Sequence, residues 1–273
     1  MTDEPEENIS GGATGGGRAA TFETGDPATR AEAVVDRLGD LYWETTYGGQ
    51  DAFETLVRTI LSQNTTDTAS QPAHDSLMER YGSGDLVENL AEADRKRLAE
   101  TISSAGLYNQ KSERIVAIAE RVREIYGSET AFDEFVREGD VDAVRDSLLA
   151  YNGVGPKTAD CVLLFSGGQD GVFPVDTHVH RIARRLGIAP PDADHETVRQ
   201  HLEADVPDEK CGFGHTAMIQ FGREYCTARK PACLDDPEAC PMADLCDQVG
   251  VNPASGAAVD PAEAAESRDA RSN

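Results

Sequence analysis

The chain has 273 residues, 39% of them hydrophobic, enough for one or two domains with buried cores. No run approaches the ~18 apolar residues of a membrane-spanning helix, and the polar, glycine-rich start is unlike a secretory signal, so a soluble cytoplasmic protein is expected. Fifty Asp and Glu against 25 Lys and Arg give a formal net charge of -25, which at ordinary salt argues against a nucleic-acid partner.

High salt removes that objection. At about 1 M the Debye length is only ~3 Å, so a diffuse acidic coat barely repels DNA. The acidic, lysine-poor composition over the whole length resembles halophile adaptation.

Residues 1–27 are Gly-, Thr- and Glu-rich and read as a disordered tail. Thereafter the pattern is helical. Val34, Leu38, Leu41 and Tyr42 share a face, and so do Phe53, Leu56, Val57, Ile60 and Leu61. The second stripe runs into LSQNTTD (61–67), where Gln63 and Asn64 read at first as capping and solvated residues. Gly106 after RKRLAETISSA is a helix stop. Ile115, Ile118, Ala119, Val122, Ile125 and Tyr126 form a third stripe, and Asp140 is the expected N-cap of VDAVRDSLLA. VFPV (172–175) is the one extended candidate, and no solenoid repeat is visible. The segment 251–273 reads as a second disordered tail. An all-α core of about ten helices is expected.

YNGVGPKTADC (151–161) stands out. A helix ends at Tyr151, Gly153 and Gly155 turn the chain, and Pro156 suits the first position of the next helix. Lys157 then lies in the first turn, with Ala159, Val162 and Leu163 facing inward. The free amides of such a turn bind a phosphate oxygen without any side chain. A nucleotide-binding P-loop does not fit, because Pro156 separates Gly155 from Lys157 and a helix, not a strand, precedes the turn. A plain interhelical turn remains the bland reading.

Lys157 is either a phosphate contact or a nucleophile. A helix start and partial burial both favour the neutral amine that nucleophilic attack requires. Asp176, nineteen positions later, reads as an N-cap for THVHRIARRLG or as a carboxylate beside an electron-poor sugar carbon; one residue can do both. His178 and His180 lie two apart and face different sides of a helix, which points to packing rather than a metal pair.

Of six cysteines, Cys226, Cys233, Cys240 and Cys246 are separated by six, six and five residues. Four thiolates hold either zinc or a [4Fe–4S] cluster, and spacing alone leaves both open. Cys161 and Cys211 read as buried thiols.

YNGVGPKTADCVLLF followed by FPVDTHVHR resembles the helix-hairpin-helix and Gly/Pro-Asp loop of the base-excision DNA glycosylases, and the endonuclease III family most closely. LSQNTTD, AGLYNQK (105–111) and FGREYCTARKPAC (221–233) extend the resemblance over about 30–250. It implies a two-lobed all-α fold. One domain covers 46–169 and ends in the hairpin. The other joins 28–45 to 170–250 and carries the cluster, and the catalytic groups meet between them. It further implies a bifunctional glycosylase and AP lyase that removes oxidised pyrimidines from duplex DNA. Lys157 is then the Schiff-base nucleophile and Asp176 the catalytic carboxylate.

In the same reading Gln63, Asn64, Gly153, Val154, Gly155, Thr158, Arg229 and Lys230 contact DNA, and a monomer is expected. The LSQNTTD loop fills the gap left by the flipped base, with Asn64 where the family usually has Gln. The four cysteines hold a [4Fe–4S] cluster, with zinc the alternative, although the family's middle spacing is two rather than the six of LDDPEA. A monofunctional mismatch glycosylase, a non-catalytic hairpin clamp and a zinc-stabilised scaffold are the competing readings.

Overall fold

The structure, a computed structural model, describes residues 25–42 and 51–272. The tail expected over 1–27 falls outside the described residues up to 24, as does the domain boundary expected near 45. The described residues form two compact units, 51–169 in one and 25–42 with 170–272 in the other.

The first unit is built from α2 (Ala52–Ser62), α3 (Asp67–Tyr81), α4 (Leu86–Ala91), α5 (Arg95–Thr101), α6 (Tyr108–Tyr126), α7 (Glu129–Glu138), α8 (Val141–Leu149) and α9 (Pro156–Phe165). α2 is its axis: Phe53, Leu56, Val57, Ile60 and Leu61 are all buried, as their spacing predicts. It packs on α9, α3 and α7, with Phe53 meeting Phe132 edge to face at 6.3 Å. Asp140 caps α8 by accepting the amide of Ala143, as expected. The α6 stripe is buried through Val122, but Ile125 emerges into solvent in the last turn.

The second unit holds α1 (Arg30–Tyr42), α10 (Thr177–Leu186), α11 (His195–Asp205), α12 (Asp208–Glu224) and α13 (Pro261–Ser272). α12 packs on α1 and α10. Val34 and Leu38 are buried there, whereas Leu41 is exposed. Inside this apolar packing Lys210 Nζ donates to Asp36 Oδ1 at 2.6 Å and Glu32 Oε1 at 3.0 Å, so the buried ammonium is paired. Residues 172–175 run without strand pairing.

The expectation of disorder from 251 is overturned. Strands β1 (Val251–Asn252) and β2 (Ala257–Ala258) form a short antiparallel hairpin, with Val251 opposite Ala258, and α13 follows. Asp260 caps α13 through the Ala262 amide and is gripped by both terminal nitrogens of Arg184 on α10, at 3.0 and 2.8 Å. Low hydrophobicity made the segment look unfolded, but a bidentate ion pair with a partner 76 positions away anchors it.

Candidate functional site

The hairpin between α8 and α9 forms as its glycines and proline suggest, with one correction. Gly153 alone takes the left-handed backbone, at φ +87°; Gly155 is extended at φ -102° and serves as N-cap. Val154 N–H bonds back to the carbonyl of Tyr151, and the Gly155 carbonyl accepts from Thr158 and Ala159. Pro156 and Lys157 open α9, and Lys157 is half-buried in its first turn. A Cβ on Gly153 would strike the Arg114 side chain, whereas one on Gly155 would meet nothing within 4 Å.

Gln63 is drawn into this turn. Its Nε2 donates to the carbonyl of Gly153 at 3.0 Å and to Thr158 Oγ1 at 3.2 Å. Three of the expected contact residues are therefore one hydrogen-bonded group. Asn64 is different: it is exposed and holds a left-handed backbone at φ +53°. Such a conformation is uncommon outside glycine, though asparagine tolerates it best.

Sequence reasoning missed three neighbours. Leu107, which precedes α6, has φ +47° and is 52% exposed, an apolar side chain on a strained backbone. Lys111, in the first turns of α6, is only 1% exposed. Its Nζ donates to the carbonyls of Leu61 at 2.7 Å and Ala105 at 2.8 Å. Burial and the charge of Arg114 pull its pKa down to about 8. Arg114, one turn later, lies against Gly153. Nothing local in AGLYNQK announces a buried lysine: one acceptor, Ala105, opens the same segment, but the other, Leu61, comes from the end of α2, fifty positions away.

In the second unit Asp176 caps α10: Oδ1 accepts the amides of both His178 and Val179 at 2.8 Å. Both capping bonds fall on one oxygen of a half-buried carboxylate. His178 Nδ1 lies 3.3 Å from an Arg181 nitrogen, and His180 stacks on His195 at 3.9 Å. Burial holds His180 below the usual histidine range.

Cys226, Cys233, Cys240 and Cys246 line one cavity with Leu186, Phe221 and Val251. LDDPEA, the long middle gap, folds into a 3-10 turn at Pro237–Ala239 with Asp236 capping Glu238, so Cys233 and Cys240 still reach the same space. All four thiols are free, and burial pushes Cys246 up to about 12. Arg185 forms part of the wall. It donates to the carbonyls of Thr227 and Ala228 and to Cys226 Sγ, while its buried Nε has no partner within the protein. A buried guanidinium that lines the same cavity as four thiols, touches one of them and keeps an unused donor fits an anionic iron–sulfur group. Among the described residues no three His, Cys, Asp or Glu side chains converge to hold a single ion. Of the basic pair beside the loop, Arg229 is exposed, and Lys230 pairs with Asp235 at 3.1 Å.

Comparison with known proteins agrees with this layout. Residues 57–208 match the HhH-GPD superfamily of base excision DNA repair proteins, and residues 226–246 match the iron-sulfur binding domain of endonuclease III, beginning and ending on Cys226 and Cys246. The chain is 34% identical to endonuclease III of Thermotoga maritima, over 80% of this chain and 90% of that one. It is 31% identical to the Bacillus subtilis endonuclease III, over 79% and 90%. A solved structure of a trapped endonuclease III–DNA covalent intermediate superposes with a TM-score of 0.65 at 27% identity, covering 81% of this chain and 96% of that one.

Proposed function

Because the chain belongs to the endonuclease III branch of the HhH-GPD superfamily of base excision DNA repair proteins, we propose that it excises oxidised pyrimidines from duplex DNA and then cuts the strand as an AP lyase. The observation that carries this reading is the placing of Lys157 in the first turn of α9, directly behind a hairpin whose turn amides suit a phosphate.

The hairpin holds the DNA backbone while the damaged nucleotide is turned out of the stack, at a cost on the order of a few kcal/mol that is lowest for damaged bases. Lys157 Nζ attacks C1′ and the C1′–N bond to the base breaks. Asp176, held by its own helix, stabilises the positive charge that builds on the sugar. Ring opening gives a Schiff base between Nζ and C1′. Loss of a C2′ proton then expels the 3′ phosphate, and water releases the enzyme. The four cysteines hold a [4Fe–4S] cluster, whose chemistry here is to fold the loop that carries Arg229 and Lys230.

Borohydride reduction on duplex DNA carrying thymine glycol, in high salt, tests the reading. Wild type is expected to form a covalent complex and Lys157→Ala none. Absence of a complex in wild type, with DNA binding intact, would replace the lyase by a monofunctional glycosylase or a clamp.

A further inference from the structure

Two residues other than glycine in the first unit have left-handed backbones, Asn64 and Leu107, and both are exposed. Each follows shortly after a carbonyl gripped by Lys111: Leu61 precedes Asn64 by three positions, and Ala105 precedes Leu107 by two. The two tips therefore hang from one buried ammonium group. The same helix reaches the hairpin, since Arg114 lies one turn along α6 against Gly153. Gln63, next to Asn64, closes the circuit by bonding to Gly153 and Thr158. A lysine has three donors and a long stem, and burying it needs a return. Here it joins two loop ends that no ladder of backbone hydrogen bonds connects.

We propose that Lys111 is a positioning residue, whose buried ammonium holds the Asn64 and Leu107 tips at a fixed separation so that both enter the duplex together when a base is turned out. The proposal rests on the repair function above. The polar tip takes the hydrogen-bonding edge of the orphaned base, and the apolar tip wedges the stack beside it. Two tips that drift independently would each have to be ordered at the moment of insertion, which lowers the rate of the step rather than the affinity for undamaged DNA.

The test compares wild type, Lys111→Met and Lys111→Gln as full-length proteins. The readouts are turnover on thymine glycol duplex, affinity for undamaged duplex, and fluorescence of 2-aminopurine placed opposite the lesion, which brightens on unstacking. For Lys111→Met, kcat is expected to fall on the order of 10²-fold and the brightening to vanish, with affinity for undamaged duplex held within about threefold. Lys111→Gln keeps an N–H donor and is expected to recover part of both signals; if Lys111→Met does not fold, this variant carries the comparison. Within an Asn64→Ala/Leu107→Ala background, which removes both tips, Lys111→Met is expected to add little. Undiminished brightening in the Lys111 variants, or a Lys111→Met loss that persists in full in the Asn64→Ala/Leu107→Ala background, would overturn the proposal. A wild type that neither excises nor brightens would instead overturn the repair function.

Discussion

A Cβ placed on Gly153 would lie 2.6 Å from Cδ of Arg114, so the hairpin turn sits directly on the side chain of α6. The neighbouring glycine has no such constraint, and the two should respond differently to alanine. Gly153→Ala forces a left-handed alanine and displaces Arg114; a loss of about 1–2 kcal/mol in urea unfolding is expected. Gly155→Ala should leave stability within about 0.5 kcal/mol, since its backbone suits any residue and its Cβ points into open space. It should still weaken duplex binding, because that open space is where the proposed hairpin–phosphate contact would be made. Equal duplex affinity for Gly155→Ala and wild type would show that the phosphate lies elsewhere.

Asp176 is both a cap and the proposed catalytic carboxylate, and asparagine separates the two. Asparagine caps a helix as well as aspartate does, so Asp176→Asn should melt close to wild type. It carries no charge, and base excision is expected to drop on the order of 10²-fold or more in single-turnover assays. Asp176→Ala should lose the activity and also about 1 kcal/mol of stability. Full excision by Asp176→Asn would reduce the residue to a cap.

Acid groups in the first unit predict an unusual pH response. Burial pushes Glu129 from 4.5 up to about 7, against the pull of the Leu86 amide, and Asp51, Asp133 and Asp85 add to the rise. Burial raises Asp133 as well. Between pH 4.5 and 7 the folded chain thus holds more protons than the unfolded one, so these groups make stability fall as pH rises through that window. Glu129→Gln retains an acceptor for the Leu86 amide and should flatten the fall, as read by urea midpoints across the range. An unchanged slope in that variant would mean the carboxyl is not protonated in the fold.

The segment after the fourth cysteine predicts how well the iron–sulfur site is protected. Val251 stands on the cavity wall, and its hairpin leads into the Asp260 grip on Arg184. Asp260→Ala should loosen that cover and speed bleaching of the visible absorbance under a mild oxidant, with helix content by circular dichroism unchanged. Identical bleaching rates would show that the cover does not limit access.

Much of this was legible in the sequence because the signals are local. The α2 stripe, the Asp140 cap, the Gly153 turn and the Pro156 helix start each depend on residues within a few positions. What was hidden depends on distance. Lys111 looks like any helical lysine until Leu61, fifty positions earlier, is brought to it. Leu41 and Ile125 fit their stripes but lie in last turns that leave the core. The segment from 251 lacks large apolar residues, so its order rests on Arg184, although Pro261 and the alanines and glutamates after it are sound helix formers. The cysteine spacing left zinc and iron–sulfur open because four thiolates serve either, and it did not show that LDDPEA folds through a 3-10 turn with Cys233 and Cys240 on one cavity.

The order of the chain puts the cover of the thiol cavity last. Val251 and Asp260 both follow the fourth cysteine, so the wall residue and the ion pair that anchors its segment are separable in sequence from the thiols themselves. Cutting the chain after Gly250 would take away Val251 and the Asp260–Arg184 pair and leave all four cysteines and Arg185 in place.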